Sequence, residues 1–285
     1  LKFIKGYRED EHLRKSFNQL AEEIFGINFE KWYNAGFWTD RYETYSFVDG
    51  DKVIANVSVN KLTLVVNGEE KRGLQIGTVM THPDYRNLGL SARLMNKVIE
   101  DYEGQYDMMY LFANKTVLDY YPKFGFHKVE EQIFSLKNKF NSQANSPMKK
   151  LTETELNLLY ETASKRVPVS RKFCVVNAAE LVMFYAMYVF ADDLYYVENH
   201  EAIVICKQDG DQLHVFDIIS SKNIEIESIL KEICSSNINE IIFYFTPYIQ
   251  DVEMNVFEGS EIMFVKKAEG LELPVLFKHP LTSQA

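Results

Sequence analysis

The sequence has few of the residues that build covalent or metal frameworks. Its 285 residues include 3 cysteines, Cys174, Cys206 and Cys234, all within apolar stretches of the second half. Their number is odd and none stands at a Cys-x-x-Cys or Cys/His spacing. The pattern excludes a disulfide framework and a zinc site and predicts buried, reduced thiols. Positive charge is also scarce. Against 41 Asp+Glu stand 31 Lys+Arg, a formal net charge of −10, which argues against a nucleic-acid partner because such a partner needs a basic face. An acidic surface suits cationic ligands instead. No apolar run spans a bilayer: the longest, residues 181–191, is too short and stops at Asp192 and Asp193. Residues 1–6 carry no secretory apolar core. The expectation is a cytoplasmic protein without membrane attachment or bound metal.

With 46% apolar and 25% charged residues, the chain can bury one or two ordinary globular cores. Residues 2–7 read as a strand. Residues 10–25 show helical spacing through Leu13, Phe17, Leu20 and Ile24, with Gly26 as a stop. Residues 29–38 are aromatic and helical or irregular. Two hairpins follow, turning at residues 49–51 and at Asn67 and Gly68. A helix over 90–102 places Leu90, Leu94 and Val98 on one face, and residues 108–112 form an apolar strand.

Two motifs carry the chemistry. Between the strand ending at Thr81 and the helix from Leu90, Arg86, Gly89 and Ser91 mark a strand–loop–helix join. Such a join aims unpaired N–H groups and the positive end of a helix dipole at one point, and glycine lets an anion approach the backbone closely. Downstream, Asn114, Tyr121, Lys123, Gly125 and Phe126 follow the apolar strand as a short helix closed by Gly125 and leading into another strand.

In this order and spacing, residues 1–136 resemble the GNAT superfamily of N-acetyltransferases. Those enzymes carry (Gln/Arg)-x-x-Gly-x-(Gly/Ala) for the coenzyme A pyrophosphate and then Asn-x-x-Ala-x-x-x-Tyr-x-Lys-x-Gly-Phe near its thiol. Ser91 replaces the usual last glycine or alanine, and Val117 replaces the alanine. The resemblance implies a mixed, mostly antiparallel α+β sheet flanked by helices, and acetyl-CoA as cosubstrate. It also implies a bulged strand whose Val79 and Thr81 backbone groups bond the pantetheine arm, with an N–H near Val79 or Met80 polarising the acetyl carbonyl. Arg86, Asn87, Leu88, Gly89, Leu90 and Ser91 would hold the pyrophosphate, and Asn114 the pantetheine or the strand gap. Tyr121 would protonate the departing thiolate, leaving Tyr120 a structural role. Residues 73–81 lack the glutamate many relatives use as base. Asp40, Glu43 and His82 are the alternatives, with His82 read as structural. Phe37, Trp38, Tyr42 and Tyr45 are candidates for the acceptor cleft.

Residues 139–150 read as a linker between a catalytic domain, 1–138, and a second α/β domain, 151–285. In the latter, a capping box at Thr152 and Glu155 opens a helix to about residue 166. A buried helix over 177–190, three strands over 193–219, a helix over 224–234 and strands at 240–245, 261–266 and 274–277 follow. The order repeats that of the first half without a glycine loop. Two readings stand: a degenerate acetyltransferase-like copy that has lost the coenzyme, or a plain accessory domain that shapes the acceptor site or a homo-oligomer. The tandem layout is distantly similar to the enhanced-intracellular-survival aminoglycoside acetyltransferases, whose further sterol-carrier-like domain finds no room before Ala285. Those enzymes place a terminal carboxylate in the active site, and whether Ala285 reaches the cleft stays open. The expected function is transfer of acetyl to an amine of a small molecule or peptide by direct attack in a ternary complex. A non-catalytic acyl-CoA-binding or regulatory module and an acyltransferase using another acyl donor are the alternatives.

Overall fold

Asp10 opens the first helix by accepting the Leu13 N–H on its carboxylate, and Gly26 ends it in the left-handed conformation at φ 69°. In the computed structural model, which describes residues 1–140 and 148–285, the first half then runs through the expected elements. They are β1 (Lys2–Lys5), α1 (Glu11–Phe25), α2 (Glu30–Asn34), β2 (Tyr42–Asp49), β3 (Lys52–Val66), β4 (Glu69–Thr81), α3 (Leu90–Asp101), β5 (Met108–Asn114), β6 (His127–Val129) and β7 (Gln132–Lys137). The second half supplies β8 (Lys149–Lys150), α4 (Leu156–Ser164), β9 (Phe173–Val176), α5 (Ala179–Tyr188), β10 (Leu194–Val197), β11 (Ala202–Asp209), β12 (Gln212–Ser220), α6 (Ile226–Ile233), β13 (Glu240–Phe243), β14 (Glu253–Val256) and β15 (Glu261–Lys267). Residues 141–147 of the expected linker lie outside the described residues.

The strands form two mixed sheets, β1-β2-β3-β4-β5-β15-β6, with β9 paired to β3, and β14-β7-β13-β12-β11-β10-β8. Each has one parallel pair joined by a helix, β4 with β5 and β12 with β13. The second half thus repeats the topology of the first. The sheets also interlock. β15 pairs antiparallel with β5, and β7 pairs antiparallel with β13, so each half lends a strand to the other's sheet. One apolar cluster joins Phe17, Leu20 and Trp32 of the first half to Val182, Met183 and Ile203 of the second. Burying such side chains is worth about 1.5–3 kcal/mol each, so the halves stabilise one another.

Three expectations require correction. The two expected hairpins share one continuous strand, β3, rather than having separate strands between their turns. Residues 115–120 are turns rather than helix, followed by a single 3₁₀ turn, Tyr121–Phe124; Pro122 removes an amide donor that a longer helix would use. Residues 274–277 form no strand. They open a segment that crosses between the sheets and makes its bonds mostly to side chains.

Lys278, His279, Thr282 and Ser283 of that segment are all fully buried. Glu131 accepts from the Lys278 ammonium at 2.9 Å and from the His279 N–H at 2.8 Å. Thr282 donates to Asp217, which also takes the Arg166 guanidinium in two bonds of 3.0 and 2.8 Å. The Gln75 amide donates to the Ser283 carbonyl at 3.0 Å, and Ala285 comes to rest on Gly77 of β4. His279 Nδ1 lies 2.9 Å from the Pro280 carbonyl and Nε2 lies 3.0 Å from the Tyr110 hydroxyl. A carbonyl only accepts, so Nδ1 carries the proton and Nε2 accepts from Tyr110. All three cysteines are buried, and burial pushes the Cys206 and Cys234 thiols up to about 12.

Two predictions follow from this segment. Burial, with the Lys278 charge beside it, lowers the His279 pKa from 6.5 to about 3. The unfolded chain therefore takes up a proton below about pH 6.5 that the folded chain refuses. His279 contributes stability above that pH, and the contribution is lost as pH falls toward the folded-state value. Thermal midpoints measured from pH 7 to pH 4 should fall more steeply for the wild type than for His279→Gln; equal slopes would refute the neutral assignment. A Cβ at Gly77 would stand 2.9 Å from the main-chain carbon of Ala285. Gly77→Val should therefore lower stability by about 1–3 kcal/mol and expose residues 271–285 to proteolysis.

Candidate active site

β4 and β5 run parallel only where residues 73–76 face residues 108–111. Beyond Ile76 and Leu111 they part: β5 continues against β15, and β4 continues against β3. At the parting, Asn56 and Ser58 of β3 pair with Met80 and Gly77, so Thr78 and Val79 together oppose Val57. This is a β-bulge in β4. Thr78 carries a φ of 48°, a conformation that a β-branched residue adopts only when its surroundings hold it, at about 1–3 kcal/mol. Two bonds hold it: the Tyr42 hydroxyl shares a proton with Thr78 Oγ1 at 2.8 Å, and the Asn56 amide donates to the Thr78 carbonyl at 2.9 Å. Met80 turns its side chain into the core beneath α1, and Thr81 pairs with Ala55.

The glycine loop lies just beyond this strand. Asn87 and Gly89 take φ values of 63° and 70°, and α3 starts at Leu90 with no side chain capping it. The Arg93 N–H bonds the Gly89 carbonyl, so the amides of the first turn ahead of it point outward. Arg86, Asn87, Leu88 and Gly89 are exposed, and the Arg86 Nε turns back toward the Thr81 carbonyl at 3.4 Å. Leu90 anchors the turn in the core. Ser91 accepts from the Tyr120 hydroxyl at 2.8 Å, which ties this loop to the second motif. An extended phosphorylated ligand fits here: a strand gap for a narrow arm, then a cluster of outward amides for its phosphates.

A cavity of about 270 Å³ opens at the strand gap and is lined in part by Gly77, Thr78, Val79, Asn114 and Tyr121. Tyr121 is 6% exposed. Burial, then Tyr120 and Glu261, raise its pKa above the ordinary tyrosine value, so it holds its proton at neutral pH. Tyr120 is the partner that braces the loop. Asn114 accepts the Thr116 N–H at 3.0 Å and so caps the turn while facing the cavity.

The opposite wall is aromatic and comes from both halves: Phe29, Trp32 and Tyr42 from the first, Leu181, Phe184 and Tyr185 from α5. The Trp32 indole donates to the Glu180 carbonyl at 2.8 Å, so α5 sets its orientation. Of the four aromatics expected at the acceptor cleft, Tyr42 lines it. Phe37 packs at a tilt against Tyr160, Trp38 donates to the Tyr42 carbonyl, and Tyr45 donates to Asp101. The expected bases stand elsewhere. Asp40 is exposed, Glu43 is held by the Tyr102 hydroxyl and Lys5, and His82 accepts the Asp84 N–H at the start of a 3₁₀ turn. The cavity wall holds Glu261 instead, at the start of β15 opposite Asn114, together with Gln284 and Ala285. Nothing local in the sequence marks Glu261 or α5 as site elements. Gly77 did carry a signal, since a glycine inside a strand often marks close approach of another backbone.

Comparison with known proteins agrees with this architecture. Residues 7–129 match the model of the acetyltransferase (GNAT) domain. A 128-residue stretch is 27% identical to N-alpha-acetyltransferase 50 of Danio rerio, covering 42% of this chain and 71% of that protein. Over nearly the whole chain the fold is similar to that of a probable N-acyltransferase from Enterococcus faecalis, with a TM-score of 0.62, 13% identity and coverage of 94% and 73% of the two chains. It is similar also to that of Eis1 from Mycobacterium abscessus, with a TM-score of 0.59, 13% identity and coverage of 93% and 73%. No helix among the described residues is long and apolar enough to cross a membrane. With a parallel strand pair that splays at a bulge, a glycine loop opening the next helix and a tyrosine facing the gap, residues 7–129 belong to the GNAT acetyltransferase domain family.

Proposed function

We propose that the chain is an acetyl-CoA-dependent N-acetyltransferase that passes the acetyl group directly to an amine in a ternary complex. The observation that carries this reading is the placement of Tyr121 and the Thr78–Val79 bulge on one cavity at the end of the β4–β5 gap. The pantetheine arm would lie in that gap along the free edge of β4. The outward amides of residues 87–92 would hold the pyrophosphate, with Arg86 beside them. The bulge frees backbone groups at Val79 that no strand claims, and an N–H there would bond the carbonyl oxygen as it gains charge.

The amine nitrogen attacks the acetyl carbonyl carbon, a tetrahedral intermediate forms, and the carbon–sulfur bond breaks. The attacking amine is the neutral form, its ammonium proton having passed to solvent. The thiolate takes the Tyr121 proton, the second proton released by nitrogen also passes to solvent, and solvent reprotonates Tyr121. Tyr121 is protonated at neutral pH and lines the cavity at the end of the strand gap, which supports the donor role. To the aromatic wall of Phe29, Trp32 and Tyr42 from the first half, the second half adds Phe184 and Tyr185. Its own β12–β13 pair leads into α6 without a glycine between residues 211 and 258, which supports one coenzyme site per chain.

The test is acetyl-CoA turnover on a panel of arylalkylamines, polyamines, aminoglycosides and peptide amines, beside coenzyme titrations. Tyr121→Phe should lower kcat about 100-fold or more with CoA affinity unchanged. Undiminished kcat would remove Tyr121 from the acid role. Tight CoA binding without turnover on any amine would make the chain an acyl-CoA-binding module instead.

A further inference from the structure

The composition of the acceptor cavity specifies more than an amine. Its wall contains Glu261 as its carboxylate side chain and, among the described residues lining it, no lysine, arginine or histidine. The remainder is apolar or aromatic apart from hydroxyl and amide groups at the strand gap. Glu261 sits where β15 begins, opposite Asn114, one face toward solvent and the other toward the cavity. It also borders a polar cleft of about 350 Å³ whose walls include Lys115, Lys128, Glu130 and Glu258. Tyr121, Tyr185 and Glu261 line the same cavity, so the carboxylate shares it with the proposed reaction centre. Partial burial raises its pKa from the ordinary glutamate value.

We infer that Glu261 is the ammonium-binding residue of the acceptor site and that the acceptor is a monocationic primary amine carried on an apolar, aromatic-sized body. The inference rests on the acetyltransferase reading for the fate of that amine, but not for its binding. Two features fix the class. Among the described residues, Glu261 is the one acidic side chain on a wall without a basic one and so matches one ammonium group. A polyamine or aminoglycoside would set further ammonium groups against Phe29, Trp32 and Phe184, away from that carboxylate. Aromatic faces in turn favour an apolar body and add cation–π attraction to a charge that passes them. The specificity residue and half of the wall come from the second half of the chain. That half therefore selects the acceptor while the first half binds the donor.

The experiment uses the full chain, with and without CoA, and calorimetric titration of 2-phenylethylamine, its uncharged analogue 2-phenylethanol, and spermidine. Wild type should bind phenylethylamine at least tenfold more tightly than spermidine. Glu261→Gln should weaken phenylethylamine about tenfold or more, the scale of one hydrogen bond to a charged group, and leave phenylethanol unchanged. Phe184→Ser, a second variant, should weaken amine and alcohol together. Equal amine affinity in wild type and Glu261→Gln, or preference for spermidine, overturns the inference even if acetyl transfer is observed. Failure of acetyl-CoA to bind would instead remove the acetyltransferase reading, while a Glu261-dependent amine titration would still uphold the cavity assignment.

Discussion

The buried polar seam of residues 277–285 is the constraint on which the site depends. Four of its side chains are fully buried, two of them ionisable; Glu131 matches Lys278, Tyr110 matches His279 and Asp217 matches Thr282, while Thr246 holds the Lys278 backbone. Buried ion pairs add little net stability over apolar packing, because desolvation offsets attraction; removing one partner, however, is severely destabilising. The seam is therefore best understood as a register device. With Glu131 on Lys278 and Asp217 on Thr282, residues 284 and 285 have one place to go, the open edge of β4 at Gly77. A different registry would part Lys278 from Glu131 and leave both charges unpaired in the core.

That registry determines what the bulge can do. In an ordinary sheet the far end of β4 would be claimed by β5. Here β5 turns to β15, Gln284 and Ala285 cover the cavity floor, and Thr78 is kept in a left-handed conformation by Tyr42 and Asn56. Tyr42 also lines the aromatic wall, so one side chain connects backbone strain at the bulge with packing across the cavity, the proposed donor and acceptor sides. Ser91 and Tyr120 form a similar link between the glycine loop and the tyrosine motif. A serine where relatives carry glycine or alanine is thus accommodated as a hydrogen-bond acceptor.

Much of this was legible from sequence because it is local. The capped first helix, the turns at Gly50 and Asn67, the glycine loop and the buried face of α3 all depend on neighbours within a few residues, where capping and periodicity act. The donor side of the site was legible for the same reason, since Arg86 to Ser91 and Asn114 to Phe126 are short motifs. The acceptor side was not. Glu261 and Phe184 lie on elements whose sequence states only "strand" and "helix", and their place beside Tyr121 follows from a strand exchange that no spacing encodes. The helix expected after Asn114 failed because helical-looking apolar spacing there met Pro122 and a side chain that bonds its own turn.

The exchange of β7 and β15 has a consequence for how the protein comes into being. Glu261 pairs with Asn114 and Lys267 with Met108, partners separated by roughly 150 residues of chain, and such distant pairings are slow to form. A ribosome that has finished the entire family domain has still produced a sheet with β5 unpaired on one side, an exposed edge of the kind that invites wrong partners. Meanwhile β7 has emerged with no sheet to join. The two motifs at 86–91 and 114–126 are complete early in synthesis, yet the cavity between them is closed only when residues 261–285 are available. The proposed site is therefore assembled late, by a strand roughly 150 residues downstream of its partner, rather than as the motifs emerge.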